Sequence, residues 1–329
     1  MSAPTTEPAE IVAEGLEFPE GPVWLPDGTV LCVEIKARTL TAIERDGKRR
    51  VVAQLGGGPN GAALGPGGAV YVCNNGGFGW AVRDGRLITA GTAEDYVTGS
   101  IQRVDLATGR FETLYDRCDG QGLRGPNDLV FDAHGGFYFT DPGKLRGRAM
   151  DRGSVFYAKA DGSMIREIIH PMSIPNGIGL SPDGKTLYGV ETETARLWAW
   201  PVKAPGDLEM LPWHVAPHGG RLVYTAPSFT RFDSLKIEAG GNICIGTLDI
   251  GAISVVSPQG ELVEQPRMNV GDTHCTNLCF GDADLQTAWI TCSHTGKLVK
   301  RRWARPGLQL HESRWAGEKS NKAIQTEIQ

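Results

Sequence analysis

Short runs in which apolar and polar residues alternate, each closed by a cluster of turn residues, recur along the whole chain. Alternation of this kind predicts half-buried β-strands. Six segments align without gaps at their start: PEGPVWLPDGTVLCVE from Pro19, PNGAALGPGGAVYVCN from Pro59, PNDLVFDAHGGFYFTD from Pro126, PNGIGLSPDGKTLYGV from Pro175, FDSLKIEAGGNICIGT from Phe232 and TNLCFGDADLQTAWIT from Thr276. Each begins with a small or apolar residue followed by Glu, Asn or Asp. A short strand, a turn cluster and a second strand rich in Val, Tyr, Phe and Ile come next. Pro-Asp-Gly or Gly-Gly between two alternating runs makes each copy a β-hairpin. The turn glycine follows the polar residue at a constant offset of eight, at Gly28, Gly68, Gly135, Gly184 and Gly241, and the sixth copy has Leu285 there.

Between the copies lie further strand-like runs, such as SIQRVDLATGRFETLY and GSVFYAKADGSMIREII, which would complete a four-stranded sheet for each repeat. The mean period of about 50 residues is the size of one propeller blade. A parallel β-helix needs a much shorter repeat, and a sandwich needs no identical polar residue at one point of each copy. The expected fold is all-β, a single six-bladed β-propeller with a central metal-binding tunnel. Residues 11–315 are expected to form it, with a flexible N-terminus at 1–10 and a polar C-terminal tail at 316–329.

Composition narrows the picture. With 44 Gly and 20 Pro and no collagen-like period, the 329-residue chain turns often. The net charge of −5 and the lack of a basic face exclude nucleic acid as the expected partner. The start, MSAPTTEPAE, lacks the features of a secretory signal, and no segment approaches a membrane span. Seven cysteines are scattered without a CxxC pair; four of them, Cys32, Cys73, Cys244 and Cys292, sit in apolar strand-like runs that predict buried free thiols, and a cytoplasmic location is expected.

Rotational symmetry makes equivalent positions converge, so the residue opening each first strand should face one central space. These residues are Glu20, Asn60, Asn127, Asn176, Asp233 and Asn277. All carry oxygen and two are carboxylates, a donor set suited to one hard divalent cation. With no Cys or His in the set, Ca²⁺ is favoured, with Mg²⁺, Mn²⁺, iron or zinc as further candidates. The competing explanation treats Pro-Asn-Gly as turn punctuation. It accounts neither for the separate hairpin turn eight residues later nor for the Glu and Asp at parallel positions.

Together the EGPVW start, the PND and PNGIGLSPDGKTLY segments and the FDSLKIEAGGNICIGTL segment resemble the SMP-30/gluconolactonase/LRE-like family over about Ile11 to Leu308. The resemblance implies a six-bladed propeller with one metal in its tunnel. It implies Glu20, Asn176 and Asp233 as core metal ligands, with Asn127 touching the metal or what is bound on it. The family's usual Asp-Gly in the fifth copy is Asp233-Ser234 here, which leaves the ligand intact. Some family members carry an Arg two residues before the third-copy Asn, where it contacts the sugar. That position is Gly125 here, with Arg124 beside it, so the substrate is not carried over.

A second set lies six residues after the turn glycine: Glu34, Asn74, Asp141 and Thr247. A hairpin returns its end beside its beginning, so these should border the same cavity. Asn60, Asn74, Asn127, Arg124, Asp141 and His274 are the candidate substrate contacts, whereas capping of blade ends is the preferred role for Glu34 and Thr247. His134 is expected at the surface, and Trp24, Trp80 and Trp289 in blade core or pocket wall. The expected activity is metal-dependent opening of a small sugar-type lactone, with Asp233 or a water it orients as base. Hydrolysis of phosphotriester-type substrates at the same metal, and a non-catalytic propeller binding at its rim, are the rival readings. A small molecule is the expected partner, no membrane is expected, and nothing in the sequence reveals oligomeric state.

Overall fold

The computed structural model describes residues 8–310, and no α-helix occurs among them. Six antiparallel sheets form the blades, each starting from one of the six repeats. Blade 1 comprises Pro19–Trp24, Val30–Glu34, Thr39–Ile43 and Arg49–Gln54. Blade 2 comprises Pro59–Leu64, Val70–Asn74, Ser100–Val104 and Phe111–Tyr115, and blade 3 Leu129–Phe131, Gly136–Asp141, Gly153–Lys159 and Ile165–Met172. Blade 4 runs Pro175–Leu180, Thr186–Glu191, Arg196–Ala204 and Arg221–Thr225, with the short strand Asp207–Leu208 added to its third strand. Blade 5 runs Phe232–Ile237, Ile243–Thr247, Ala252–Val256 and Leu262–Glu264. Blade 6 takes Cys275–Gly281, Thr287–Cys292 and Lys297–Arg302 from the C-terminal side and its outermost strand, Glu10–Ala13, from the N-terminal side. The two ends of the chain therefore share one sheet, and the ring closes by backbone hydrogen bonds.

The first strand of every blade lies innermost and touches the first strands of both neighbours, in the order 1-2-3-4-5-6-1. The glycine after the ring residue makes this approach feasible. A Cβ on Gly21 would stand 2.6 Å from the Ala62 nitrogen, one on Gly61 2.3 Å from the Asn127 carbonyl, and one on Gly177 2.4 Å from the Leu235 nitrogen. In Pro-Glu-Gly and Pro-Asn-Gly the glycine thus admits the next blade and makes no turn. The hairpin turn comes eight residues later, in the left-handed region: Gly28, Gly68, Gly135, Gly184 and Gly241 have φ between 70° and 94°. Leu285 takes the same place at φ 53°, so the sixth copy keeps the geometry without the glycine.

Between blades, inner strands pack apolar side chains into clusters such as Leu31, Val33, Leu64 and Val72, or Tyr138, Tyr157, Ile178 and Trp200. Blade 2 carries an insertion that strand periodicity did not single out. Phe78–Arg83 and Arg86–Thr92 form a separate two-stranded hairpin between its second and third strands. Its Leu87 N–H donates to the His294 carbonyl of blade 6 at 2.9 Å, and the Thr92 hydroxyl to the Leu145 carbonyl beyond blade 3 at 3.2 Å. The hairpin therefore reaches from its own blade across to both. At its base Lys144 Nζ donates to the Gly77 carbonyl at 3.1 Å and sits over the rings of Phe78 and Tyr96 at 4.7 and 4.8 Å. Burial presses this ammonium down to about 8, against the charge of Asp141.

Candidate metal and active site

Ladder register places the start of each first strand beside the end of the second: Pro19 faces Glu34, Pro59 faces Asn74, Pro175 faces Glu191 and Phe232 faces Thr247. Immediately after these pairs the register shifts in blades 1, 2, 4 and 5, and a comparable shift follows Cys275 in blade 6. A bulge of this kind re-aims a side chain, and here Asn60, Asn176 and Asp233 lie within it while Glu20 and Asn277 stand at its edge. Phe18 and Ile174, each two residues before a ring residue, hold left-handed φ values of 60° and 51°. Bulky residues rarely adopt that region, and such strain concentrates at functional sites.

Glu20 is sealed. Its Oε2 accepts the Gly21 N–H at 2.7 Å and the Asn277 amide at 2.9 Å, and Asn277 in turn is fixed by the Leu278 N–H at 2.8 Å. Burial pushes Glu20 up to about 7, partly offset by these hydrogen bonds, with the charge of Asp128 adding to the rise. Asp233 is half-buried. Burial, and next the charge of Glu20, hold it well above the usual carboxylate range, an effect the adjacent Asn176 partly offsets. The Asn176 amide also donates to the Thr192 hydroxyl at 3.2 Å. Asn127 is buried, and its Oδ1 has no hydrogen-bond partner.

A raised Glu20, an Asp233 that the charge of Glu20 raises further, and an Asn127 amide oxygen with nothing to accept from fit a divalent cation. The charge would lower both carboxyls and the amide oxygen would gain a partner. No cluster of three or more His, Cys, Asp and Glu occurs among the described residues, so any such site draws part of its donors from amides. A third carboxylate, Asp128, is fully buried next to Asn127 and is met by Lys236 Nζ at 3.3 Å. Lys236 also lines a cavity of about 400 Å³ at the other end of the inner strands, walled by Val23, Leu64, Leu129 and Ile178.

The remaining sequence candidates separate. Asn60 is buried in the ring and bonds to no other side chain or backbone group. Asn74 and Asp141 brace loops through hydrogen bonds. Asn74 Oδ1 accepts from Gly58 and Gly76 while its amide donates to Gly56 and Gln102, which fills its hydrogen-bonding capacity. Asp141 accepts the N–H groups of Arg124, Gly125 and Gly143. The Arg124 side chain is exposed, and only its backbone takes part, through Asp141 and the Tyr96 hydroxyl. Glu34 and Thr247 are tied to Thr41 and Ser254 within their own blades. His134 is exposed, Trp289 is buried in blade 6, and Trp24 lines the far cavity.

His274 lies three residues before Asn277, stacked on His294 with ring centroids 3.4 Å apart. Sequence reasoning missed His294, which follows the second strand of blade 6 and belongs to no repeated position. It also missed Arg231, two residues before Asp233, whose guanidinium is paired with Asp249 at 2.8 and 3.1 Å. Only its offset from Asp233 could have drawn attention to it.

A closed six-bladed propeller with a carboxylate and amide ring at one end of its tunnel defines the class. The model of the SMP-30/gluconolactonase/LRE-like region matches residues 18–294, and the chain belongs to that family. It is 26% identical to a gluconolactonase of Zymomonas mobilis over 90% of this chain and 82% of that one. It is 30% identical to the lactonase drp35 of Staphylococcus haemolyticus over 184 residues, about half of either chain. Among solved structures, a gluconolactonase from Xanthomonas campestris superposes with a TM-score of 0.69 at 21% identity, covering 91% of this chain and 96% of that one. A calcium-binding regucalcin from Agrobacterium tumefaciens superposes at 0.67 with 19% identity, covering 92% and 97%. These last two likenesses speak to fold.

Proposed function

We propose that this protein is a divalent-metal-dependent hydrolase that opens a small sugar-type lactone. The observation that carries the reading is the ring itself: Glu20 buried and raised, Asp233 half-buried and raised further by the charge of Glu20, and the Asn127 oxygen without a partner. Lactonase relatives that match most or half of the chain support the substrate class. Glu20, Asn176, Asp233 and Asn127 would hold the cation, and Ca²⁺ suits an all-oxygen donor set best. When bound, such an ion supplies Lewis-acid polarisation of the lactone carbonyl.

The chain's own residues divide the rest of the work. Glu20 is fixed by two hydrogen bonds and sealed, so it holds position and charge. Asp233, half-buried where Glu20 is sealed, takes the proton of the attacking water, directly or through a second water it orients. Water oxygen bonds to the carbonyl carbon and the ring C–O bond breaks. The proton passes to the departing ring oxygen, giving the open hydroxy acid. The free thiols of all seven cysteines, including Cys275 and Cys292 with sulfurs 3.7 Å apart and unbonded, support a reducing, cytoplasmic setting.

Elemental analysis of the purified full chain, followed by a panel of aldonolactones with and without chelator, tests this reading. About one equivalent of divalent metal and hydrolysis lost to chelator but restored by Ca²⁺ are expected. Full activity after chelation would remove the metal from the reaction, and turnover of phosphotriesters alone would replace the substrate class. An Asp233→Asn variant keeping both metal and full rate would exclude Asp233 as base.

A further inference from the structure

The segments that precede the inner strands bring a second group of side chains together beside the ring, where Arg231 acts on Asp233 and on two histidines. Phe18 and Arg231 each stand two residues before a ring residue, and His274 stands three before Asn277. His294 joins them from the second strand's end, held by the Leu87 N–H of the blade 2 hairpin on its carbonyl. Its ring lies 6.1 Å from that of Phe18, which in turn tilts against Trp80 of the hairpin at 5.2 Å. His274 and His294 are nearly parallel, at 15°. Both Nδ1 atoms are buried without a hydrogen-bond partner. Two adjacent imidazoles with unpaired buried Nδ1 atoms are unusual in a folded interior, where buried polar atoms are paired.

We propose that the stacked His274 and His294 are the substrate-orienting wall of this tunnel, with the Nε2 edges of the rings hydrogen-bonding a hydroxyl substituent of the bound lactone. Burial, then the contact with His294, presses His274 down to about 2, and burial lowers His294 as well. Both rings are thus neutral at neutral pH, able to donate or accept but poorly suited to serve as a general base there. The charged groups acting on His294 are Asp272, Arg86, Arg231 and Asp249, two of each sign. A polar wall without net charge suits a hydroxyl better than a carboxylate or phosphate. Phe18 and Trp80 offer an apolar flank to the C–H face of a ring. The ligand's identity rests on the lactonase reading, whereas the wall itself does not.

The test compares a polyhydroxylated δ-lactone with an unsubstituted δ-lactone on the full chain with Ca²⁺ added. His294→Phe keeps the ring stack and removes the nitrogens, while His294→Gln keeps a hydrogen-bonding group. The expected result is a roughly tenfold fall in the ratio of kcat/KM for the hydroxylated over the unsubstituted lactone in His294→Phe, the loss of about one hydrogen bond. The fall should reside in KM and be largely recovered in His294→Gln, with the pH profile unmoved. His274→Gln serves as the second site should His294→Phe fail to fold. An unchanged ratio in the folded variants, or a displaced pH profile, would overturn the proposal. Calorimetric binding of a neutral pentitol separates the two readings. A pentitol bound by wild type and lost in His294→Phe, with no lactone turned over, keeps the wall and removes the lactonase. Lactone turnover with a ratio indifferent to both histidines does the reverse.

Discussion

Glu20 and Asp233 show how much of a site's chemistry resides in placement. An exposed glutamate titrates near 4.5, whereas burial takes Glu20 up to about 7. Its folded pKa lies above its unfolded value, so the folded metal-free protein binds more protons than the unfolded chain between those pH values. Stability must then fall as pH rises through that window, by on the order of 3 kcal/mol in total if Glu20 acts alone. The expected outcome is a Tm of the chelated protein that drops between pH 5 and pH 8. With Ca²⁺ present the drop should largely vanish, because the cation favours the deprotonated form. Calorimetric melting at both pH values, with and without Ca²⁺, checks this, and equal slopes would place Glu20 off the cation. At this scale the identity of the ring residues was legible in the sequence, since the repeat marks them. The roles of Asn74 and Asp141 were not, because a side chain's hydrogen bonds depend on loops that only the folded chain brings near it.

Inner strands owe their close approach to a residue type. A Cβ at Gly61 would meet backbone of blade 3 at 2.3 and 2.7 Å, atoms that cannot swing aside. Gly61→Ala should therefore cost about 2 kcal/mol, the scale of an overpacked core, or roughly 3 °C of Tm in a domain this large. Thermal melting beside Gly68→Ala, whose Cβ would meet nothing within 4 Å, separates packing from backbone freedom. An equal loss in both would assign the effect to conformation. The hairpins themselves could be read from turn chemistry, and Leu285 shows why one weak copy did not break the series. Its neighbours impose the left-handed turn that glycine merely makes cheap. The Phe78–Thr92 insertion escaped notice because a hairpin docked on other blades carries no signal at the blade period.

Closure of the whole ring depends on a strand distant in sequence from its partners. Glu10 faces Lys300 and Ile11 faces Val299, so removing residues 1–14 leaves blade 6 with three strands and an open edge. Such a truncation should lower stability by more than about 3 kcal/mol, roughly 5 °C of Tm or more, and expose the Lys297–Arg302 edge to association. Melting and size-exclusion chromatography of the truncated chain check both effects, and an unchanged Tm would mean the ring closes without its first strand.

The sequence by itself determined the number of blades, the hairpin of each and the six oxygen-bearing residues that open them. A repeat writes the same local physics six times, and symmetry converts repetition into convergence. Tertiary structure alone decided that the glycine after each of three ring residues admits the next blade. It alone set His294 against His274 beneath a hairpin from blade 2, and it gave the buried carboxylates their raised proton affinity. Those outcomes depend on distances across the tunnel between residues far apart in the chain, and no local pattern encodes such distances.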